Sequence, residues 1–239
     1  MLAELIRAEQ PCVVLTGAGV STESGIPDFR SAGGIWAQFD PYEVASIDAF
    51  RRDPARVWEF YALRLAVLAD AQPNDAHRAL ARLEDLGLVH ALITQNVDRL
   101  HAAAGSHDVV EVHGSIAQAR CLACGTVVDR EALDGLLPLP RCPSCGTVLK
   151  PDVVMFGELL ALAAIDRATE LAQRAALLLV VGSSLEVWPV AGLPEETLAR
   201  GGKLAIVNRD PTPYDARADL VVRASAGETL AACARALAR

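Results

Sequence analysis

The sequence has no long hydrophobic run and no cluster of positive charge. Its 239 residues include two lysines, Lys150 and Lys203, and the formal net charge is −8. That balance disfavours chain-wide attraction to nucleic acid. The longest charge-free apolar stretch, residues 175–185, is too short to span a bilayer, and Glu4 interrupts any export signal at the N-terminus. We therefore expect a cytoplasmic protein that binds neither a membrane nor nucleic acid directly.

Two common enzyme signatures are also missing. No serine or cysteine lies in a nucleophile elbow. The glycines Gly17 and Gly19 follow an apolar segment, but the dinucleotide fingerprint needs a third glycine where this chain has Thr22. A strand-end acid about 20 residues further on is absent as well. A hydride-transferring dehydrogenase is thus disfavoured, while the glycine pair still suits either a pyrophosphate or a simple tight turn.

Hydrophobic residues make up 52% of the chain, enough for one large α/β domain with a small insertion. Apolar periodicity predicts strands at residues 12–16, 89–94, 109–112, 153–156, 177–181, 204–207 and 220–222. Amphipathic patterns predict helices at residues 76–86, 162–174, 190–200 and 228–237. Their alternation predicts a Rossmann-like, doubly wound parallel sheet covered on both faces.

Two segments interrupt this alternation. Residues 31–72 are rich in aromatic side chains and indicate a loop followed by helices, and residues 114–152 contain two cysteine pairs. We therefore expect a Rossmann-like domain formed by 1–30, 73–113 and 153–239, a helical insertion at 31–72 and a zinc-ribbon insertion at 114–152. Both insertions should lie at the carboxyl ends of the strands, where open α/β sheets bind ligands.

Four of the six cysteines form two Cys-x-x-Cys pairs, Cys121 with Cys124 and Cys142 with Cys145, 17 residues apart. Each such turn presents two sulfurs to a shared ion, so the spacing predicts one tetrahedral zinc. The alternative is two disulfides, which a reducing compartment disfavours.

Polar residues follow the predicted strand at 89–94. Asn96 offers a donor and an acceptor, and Asp98 accepts from an NH2 group, so the two can recognise a carboxamide or simply cap a helix. His113 ends the next strand, and its ordinary pKa of about 6.5 suits a general base, although a lone histidine is often only structural.

Further strand ends carry small and polar residues that suit phosphate and ribose hydroxyls, although each is also compatible with an ordinary turn. These are Gly182, Ser183 and Ser184, and then Asn208, Arg209 and Asp210. Residues 150–158 leave the zinc ribbon as an extended apolar segment. This segment is either an edge that pairs with a substrate peptide or a buried central strand.

In this order, these motifs resemble the sirtuin family of NAD-dependent protein-lysine deacylases. The matching segments cover essentially the whole chain: residues 17–21, 25–30, 34–36, 94–101, 104–105, 113–114, both cysteine pairs, 156–158, 182–185 and 207–208.

The resemblance implies that NAD is the co-substrate and that the four cysteines hold one structural zinc ion. It implies that Asn96 and Asp98 bind the nicotinamide carboxamide, and that Asn96 and His113 are catalytic. The implied NAD-binding residues are Gly17, Ala18, Gly19, Ser21, Asp28, Phe29, Arg30, Trp36, Gln95, Asn96, Asp98, Gly182, Ser183, Ser184, Asn208, Arg209, Asp210 and Ala226. The acyl-lysine segment of a protein would bind as an extended strand to Val154, Phe156, Gly157 and Glu158.

The implied reaction begins when the acyl-lysine carbonyl oxygen attacks the ribose carbon as nicotinamide leaves, with Phe29 shielding the site. His113 then takes a proton from the ribose hydroxyls, so that the 2′ oxygen attacks the imidate carbon. The products are lysine, nicotinamide and 2′-O-acyl-ADP-ribose.

Tyr61 and Arg64 are three residues apart on a predicted helix and so share a face. A phenol and a guanidinium together suit a carboxylate, and the pair resembles the Tyr-x-x-Arg signature of sirtuins that accept succinyl- and malonyl-lysine. The alternative is a buried tyrosine beside a surface arginine. Thr22 replaces a smaller residue found in the members with the strongest acidic-acyl preference, which favours a broader deacylase that also removes acetyl groups.

Two other functions compete with this interpretation. The same NAD-cleaving scaffold could transfer ADP-ribose to proteins, or the zinc ribbon could be a non-catalytic binding module. The acidic balance and the lack of clustered Lys and Arg near the cysteines weigh against the second.

Overall fold

The computed structural model describes residues 1–238 and contains two sheets. The strands are β1 (Cys12–Thr16), β2 (Ala91–Thr94), β3 (Val109–Glu111), β4 (Gly114–Arg120), β5 (Val127–Asp129), β6 (Lys150–Val153), β7 (Leu177–Val181), β8 (Lys203–Val207) and β9 (Leu220–Val222). The α-helices are α1 (Leu2–Ala8), α2 (Pro41–Val44), α3 (Ile47–Arg52), α4 (Pro54–Asp70), α5 (Asp75–Asp85), α6 (Leu100–Ala103), α7 (Arg130–Asp134), α8 (Leu162–Arg174), α9 (Leu193–Ala199) and α10 (Ala226–Leu237).

The larger sheet has six parallel strands in the order β3-β2-β1-β7-β8-β9. Every residue of β1 and β7 is buried, because helices cover both faces. Val14 packs with α1, α5 and α10 on one face, whereas its neighbour Leu15 packs with α8 and α9 on the other. This alternation confirms the predicted doubly wound α/β fold.

The order of the strands reverses beside β1, since the chain proceeds to β2 and β3 on one side and to β7, β8 and β9 on the other. The connections that follow β1 and β7 therefore run to opposite sides of the sheet, which places the switch point of the sheet at the carboxyl ends of these two strands. This is the position at which open parallel sheets bind their ligands.

A second hydrophobic core joins the two insertions. Helices α2, α3 and α4 pack against the antiparallel sheet β5-β4-β6. The buried Trp58 links them, because its indole nitrogen donates to the carbonyl of Leu149 at 2.7 Å. We propose that 31–72 and 114–152 form one small lobe beside the Rossmann-like domain made by 1–30, 73–113 and 153–239.

The prediction of a core strand at residues 153–156 is wrong. Strand β6 ends at Val153 and pairs with β4 in the small sheet, outside the parallel sheet. Beyond it the chain turns, since the Glu158 carboxylate accepts from the Met155 amide at 2.9 Å and Gly157 has φ +86°. The helix predicted from residue 190 begins as a short 3₁₀ turn, and α9 starts at Leu193 with Pro194 in its first turn.

In the part of the chain that the structure describes, residues 1–238, no helix is long and apolar enough to cross a membrane.

Candidate active site and metal centre

A cavity of about 510 Å³ lies at the carboxyl ends of β1, β2, β7 and β8. The loops after these strands form one wall, and residues 153–158 with helix α4 form the other. The cavity therefore lies between the parallel sheet and the small lobe. Its size and its position at the reversal of strand order are typical of a ligand site in an open α/β protein.

The glycine loop after β1 packs against the loop after β7. The amides of Gly17 and Gly19 donate to the carbonyls of Val181 and Gly182, at 3.1 and 2.8 Å. A Cβ on Gly17 would lie 2.8 Å from the Gly182 oxygen, and a Cβ on Gly19 would lie 2.8 Å from the Gly182 Cα. The sequence suggested close approach to a pyrophosphate, whereas the close approach in the structure is between two backbone segments that shape the cavity floor.

The loop of residues 28–36 is stabilised by Asp28. Its carboxylate accepts from the amides of Arg30 and Ser31, at 3.0 and 2.8 Å, so Asp28 fixes the turn that presents its neighbours. The ring of Phe29 lies 5.1 Å from the ring of Trp36, between centroids, and both line the cavity. Arg30 forms a 3.0 Å ion pair with Glu186, and both residues line the cavity.

Asn96 is buried and faces the cavity from the end of β2. Its Nδ2 donates to the Gly17 carbonyl at 3.2 Å and to the Ser21 hydroxyl at 3.1 Å. Ser21 in turn donates to Asp98 Oδ2 at 2.7 Å, and Asp98 Oδ1 accepts from the Leu100 amide at 2.9 Å. Ser21 and Asp98 are not among the residues that line the cavity. Their contacts instead orient Asn96 from behind.

Two buried histidines, His77 and His101, support this network. His77 Nε2 lies 3.4 Å from the Ser21 hydroxyl, and His101 Nε2 lies 2.9 Å from the hydroxyl of Thr16. Burial lowers the pKa of His77 to about 4 and that of His101 to about 3. Both rings are therefore neutral at physiological pH.

His113 lines the cavity with one ring nitrogen already committed. Its Nδ1 lies 3.0 Å from the Gln95 carbonyl, and because a carbonyl only accepts, Nδ1 carries the proton. Nε2 is then the free acceptor. Burial lowers the pKa of His113, and the bond to Gln95 partly opposes this shift, so the ring is a neutral base near pH 7.

Tyr61 and Arg64 project from α4 into the same cavity. The Arg64 guanidinium carbon lies 5.2 Å from the centroid of the Phe29 ring. Burial raises the pKa of Tyr61 and lowers that of Arg64. Within residues 1–238, no carboxylate lies within ion-pair distance of Arg64, so this half-buried cation is available to an anion.

Residues 154–157 also line the cavity and are held by backbone hydrogen bonds on either side. The Val154 amide donates to the His113 carbonyl at 2.8 Å, and the Phe156 amide donates to the Ala45 carbonyl at 2.9 Å. The Phe156 carbonyl accepts from the Ile47 amide at 3.0 Å. The segment thus joins the backbone of His113 to the small lobe.

The four paired cysteines converge at the surface of the small lobe, where Cys124 and Cys145 are exposed. Their sulfurs lie within 4.8 Å of one another, and two of the distances, Cys121 to Cys145 and Cys124 to Cys142, are 3.5 Å. A tetrahedron with zinc–sulfur bonds of about 2.3 Å requires edges of about 3.8 Å, so the donor set fits zinc. A disulfide requires a sulfur–sulfur distance of about 2.05 Å, and these four cysteines form no disulfide. Four protein ligands close the metal site, which makes it structural.

A model described as the Sir2 family matches residues 17–189. The chain belongs to the Sir2 family. It is 44% identical over 229 residues to NAD-dependent protein deacylase 1 of Archaeoglobus fulgidus, covering 96% of this chain and 94% of the relative. This membership confirms the family resemblance seen in the sequence.

Solved Sir2 structures share the fold. A Sir2 homologue–NAD complex has a TM-score of 0.93 and 44% identity, covering 99% of this chain and 93% of that one. A Sir2–p53 peptide–NAD⁺ complex has a TM-score of 0.89 and 40% identity, covering 96% of this chain and 94% of that one.

The structure of this Sir2 chain brings most of the predicted site residues to one cavity. Those that line it are Gly17, Ala18, Gly19, Asp28, Phe29, Arg30, Trp36, Tyr61, Arg64, Gln95, Asn96, His113, Val154, Phe156, Gly157, Glu158, Gly182, Ser183, Ser184, Asn208, Arg209, Asp210 and Ala226. Ser21 and Asp98 lie behind it, and the four cysteines form the separate metal centre.

Proposed function

We propose that this chain is an NAD-dependent protein-lysine deacylase that removes acetyl and also succinyl and malonyl groups. The names of its Sir2 relatives support the NAD-dependent deacylase activity. The observation that carries the proposal is the placement of the neutral base His113, the amide of Asn96 and the pair Tyr61 and Arg64 around one cavity.

NAD, as co-substrate, supplies an electrophilic ribose carbon and nicotinamide as a leaving group. The glycine loop, the loop of residues 28–36 and the loops after β7 and β8 would hold it. Asn96, fixed by Gly17 and Ser21, would orient the nicotinamide carboxamide. Phe29 and Trp36 would exclude water from the reacting carbon.

His113 performs the proton transfer. With Nδ1 held by the Gln95 carbonyl, Nε2 accepts a proton from the ribose hydroxyls and so activates the 2′ oxygen toward the acyl carbon. One water then adds as the amine leaves, so acyl-lysine, NAD and water give the proposed products lysine, nicotinamide and 2′-O-acyl-ADP-ribose. The zinc ion held by the four cysteines supplies stability to the small lobe and takes no part in these steps.

The acyl group is proposed to reach Tyr61 and Arg64. A terminal carboxylate would accept from the guanidinium and the phenol, whereas an acetyl group carries no carboxylate and would make neither bond. The phenol stays protonated and able to donate, because burial raises the pKa of Tyr61. The peptide itself is proposed to bind as an extended strand along residues 154–157.

The test measures nicotinamide release from NAD with and without an acetyl-lysine peptide. We expect release to depend on the peptide, and to fall by about 10²- to 10⁴-fold in His113→Ala. The exposed His90 offers a matched control, and His90→Ala should keep full activity. Peptide-independent NAD cleavage with ADP-ribose attached to protein would instead support ADP-ribosyl transfer and contradict the proposal.

A further inference from the structure

One of the two lysines of the chain is buried beside the proposed peptide site. Lys150 is 5% exposed, at the start of β6. Its ammonium donates to the carbonyls of Val153 at 2.7 Å and Pro151 at 3.1 Å, and lies 2.9 Å from the Glu158 carboxylate. An ammonium has three donors, so all of them are used within the segment 150–158.

Glu158 extends this arrangement to the cavity. The oxygen that pairs with Lys150 also accepts from the Met155 amide at 2.9 Å, and the Glu158 side chain lines the cavity. The charge of Glu158 also acts on Tyr61 in the proposed acyl pocket. Burial is the main cause that raises the pKa of Tyr61, the Arg64 charge opposes it, and the Glu158 charge adds to it. The position of this carboxylate therefore matters to both the peptide wall and the acyl pocket.

The segment of residues 153–158 is held in place from two sides. The Lys150–Glu158 pair holds the backbone at Val153 and Met155, while the amides of Val154 and Phe156 donate to carbonyls of neighbouring segments. One of those carbonyls belongs to His113. The ammonium thus lies inside the turn that connects the zinc-ribbon sheet to His113. Its loss would release the backbone at Val153 and Met155.

We propose that Lys150 is a positioning residue, whose buried ammonium holds residues 153–158 in the shape that binds the acyl-lysine peptide. This inference rests on the proposed function, because it assumes that the segment binds a peptide. Removing the ammonium would leave the Pro151 and Val153 carbonyls unpaired and the Glu158 carboxylate without its counter-charge. The segment would then relax toward water, away from the cavity.

The test measures binding of a short fluorescent peptide with one central acetyl-lysine, by anisotropy, to the full-length zinc-loaded protein. We expect Lys150→Met to raise the peptide Kd about tenfold, because misplaced binding groups lose affinity steeply. Lys150→Arg should recover most of the affinity, since a guanidinium also donates to carbonyls and a carboxylate. The NAD Kd, measured in parallel, should stay near the wild-type value.

The other lysine supplies the matched control. Lys203 pairs with Glu9 at 2.7 Å, outside the cavity, so Lys203→Met should leave the peptide Kd unchanged. If Lys150→Met does not fold, Lys150→Gln tests the same turn, because its amide can donate to a carbonyl but carries no charge for Glu158, and it should also weaken peptide binding without changing the NAD Kd.

Three results would overturn the inference. The first is a folded Lys150→Met or Lys150→Gln variant that binds the peptide as tightly as wild type. The second is an equal loss of peptide and NAD affinity, which would indicate general damage. The third is wild-type protein that binds no acyl-peptide; this result alone would also reject the proposed function.

Discussion

The amide of Gly19 donates to the carbonyl of Gly182 at 2.8 Å, and no side chain separates the two backbones. Gly182 itself has φ +61°, and a Cβ there would lie 2.3 Å from the Val20 nitrogen. The loops after β1 and β7 therefore pack at a distance that only glycine permits. The floor of the cavity is built from this contact.

We predict that Gly19→Ala disturbs this floor. The added methyl would meet the Gly182 Cα at 2.8 Å, so the loops must separate at a cost of about 1–3 kcal/mol. Calorimetry should show a lower Tm, and NAD binding should weaken. Gly135 is the control, because a Cβ there meets only the Ala132 oxygen at 3.8 Å. Equal behaviour of Gly19→Ala and Gly135→Ala would show that the two loops are not tightly packed.

Arg64 should determine how well the protein acts on succinyl-lysine relative to acetyl-lysine. Loss of a hydrogen-bonded charge partner weakens carboxylate binding, so Arg64→Met should lower kcat/KM for a succinyl-lysine peptide about 10- to 100-fold. The value for an acetyl-lysine peptide should change little. Arg56 lies on the same helix but is exposed and pairs with Glu43 at 3.5 Å, so Arg56→Met is the matched control. Unchanged succinyl activity in Arg64→Met would reject the proposed carboxylate pocket.

Thiol labelling should separate the six cysteines into two groups. Burial raises the pKa of Cys12 to about 12 and that of Cys233 to about 11, so both should resist alkylation in the folded protein. The four cysteines of the metal centre should be protected by zinc and should react after chelation. Mass spectrometry of alkylated peptides measures this difference. Rapid alkylation of the four cysteines before chelation would contradict a zinc-filled centre.

The buried histidines should make the protein less stable in acid. The pKa values in the folded protein are about 4 for His77 and about 3 for His101, below the ordinary 6.5. Between these values and pH 6.5 the unfolded chain binds more protons, so the free energy of unfolding falls as the pH falls. The stability contributed by the neutral histidines is complete above about pH 6.5. It is lost progressively as the pH falls from 6.5 to the pKa values in the folded protein.

Calorimetry between pH 7 and pH 4 should therefore show a falling Tm, with a smaller slope in His101→Gln. The exposed His90→Gln gives the comparison variant. An identical slope in His101→Gln and wild type would mean that His101 does not stay neutral in the folded protein.

The parallel sheet and the metal centre were predictable because their signals are local. Buried strands such as residues 177–181 are unbroken apolar runs, and the paired cysteines carry their own spacing. The placement of β6 was not predictable, because its apolar continuation looks like a core strand until Glu158 folds back on it.

Contacts between residues that are far apart in the sequence could not be predicted either. Nothing near Gly19 indicates that Gly182 will pack against it, and nothing near Asn96 indicates that Ser21 will hold its amide. The sequence of residues 150–158 suggested either a peptide edge or a buried central strand, and the burial of the Lys150 ammonium depends on how the chain turns after β6. Such long-range partners are set by the tertiary fold.

The products of a single reaction provide the strictest test of the proposed deacylase mechanism. The protein, NAD and an acetyl-lysine peptide should yield deacetylated peptide, nicotinamide and 2′-O-acetyl-ADP-ribose in equal amounts, measured by mass spectrometry at early times. His113→Ala should lose the acetyl-ADP-ribose product. Free acetate without acetyl-ADP-ribose, or ADP-ribose attached to protein while the peptide stays acetylated, would contradict the proposed mechanism.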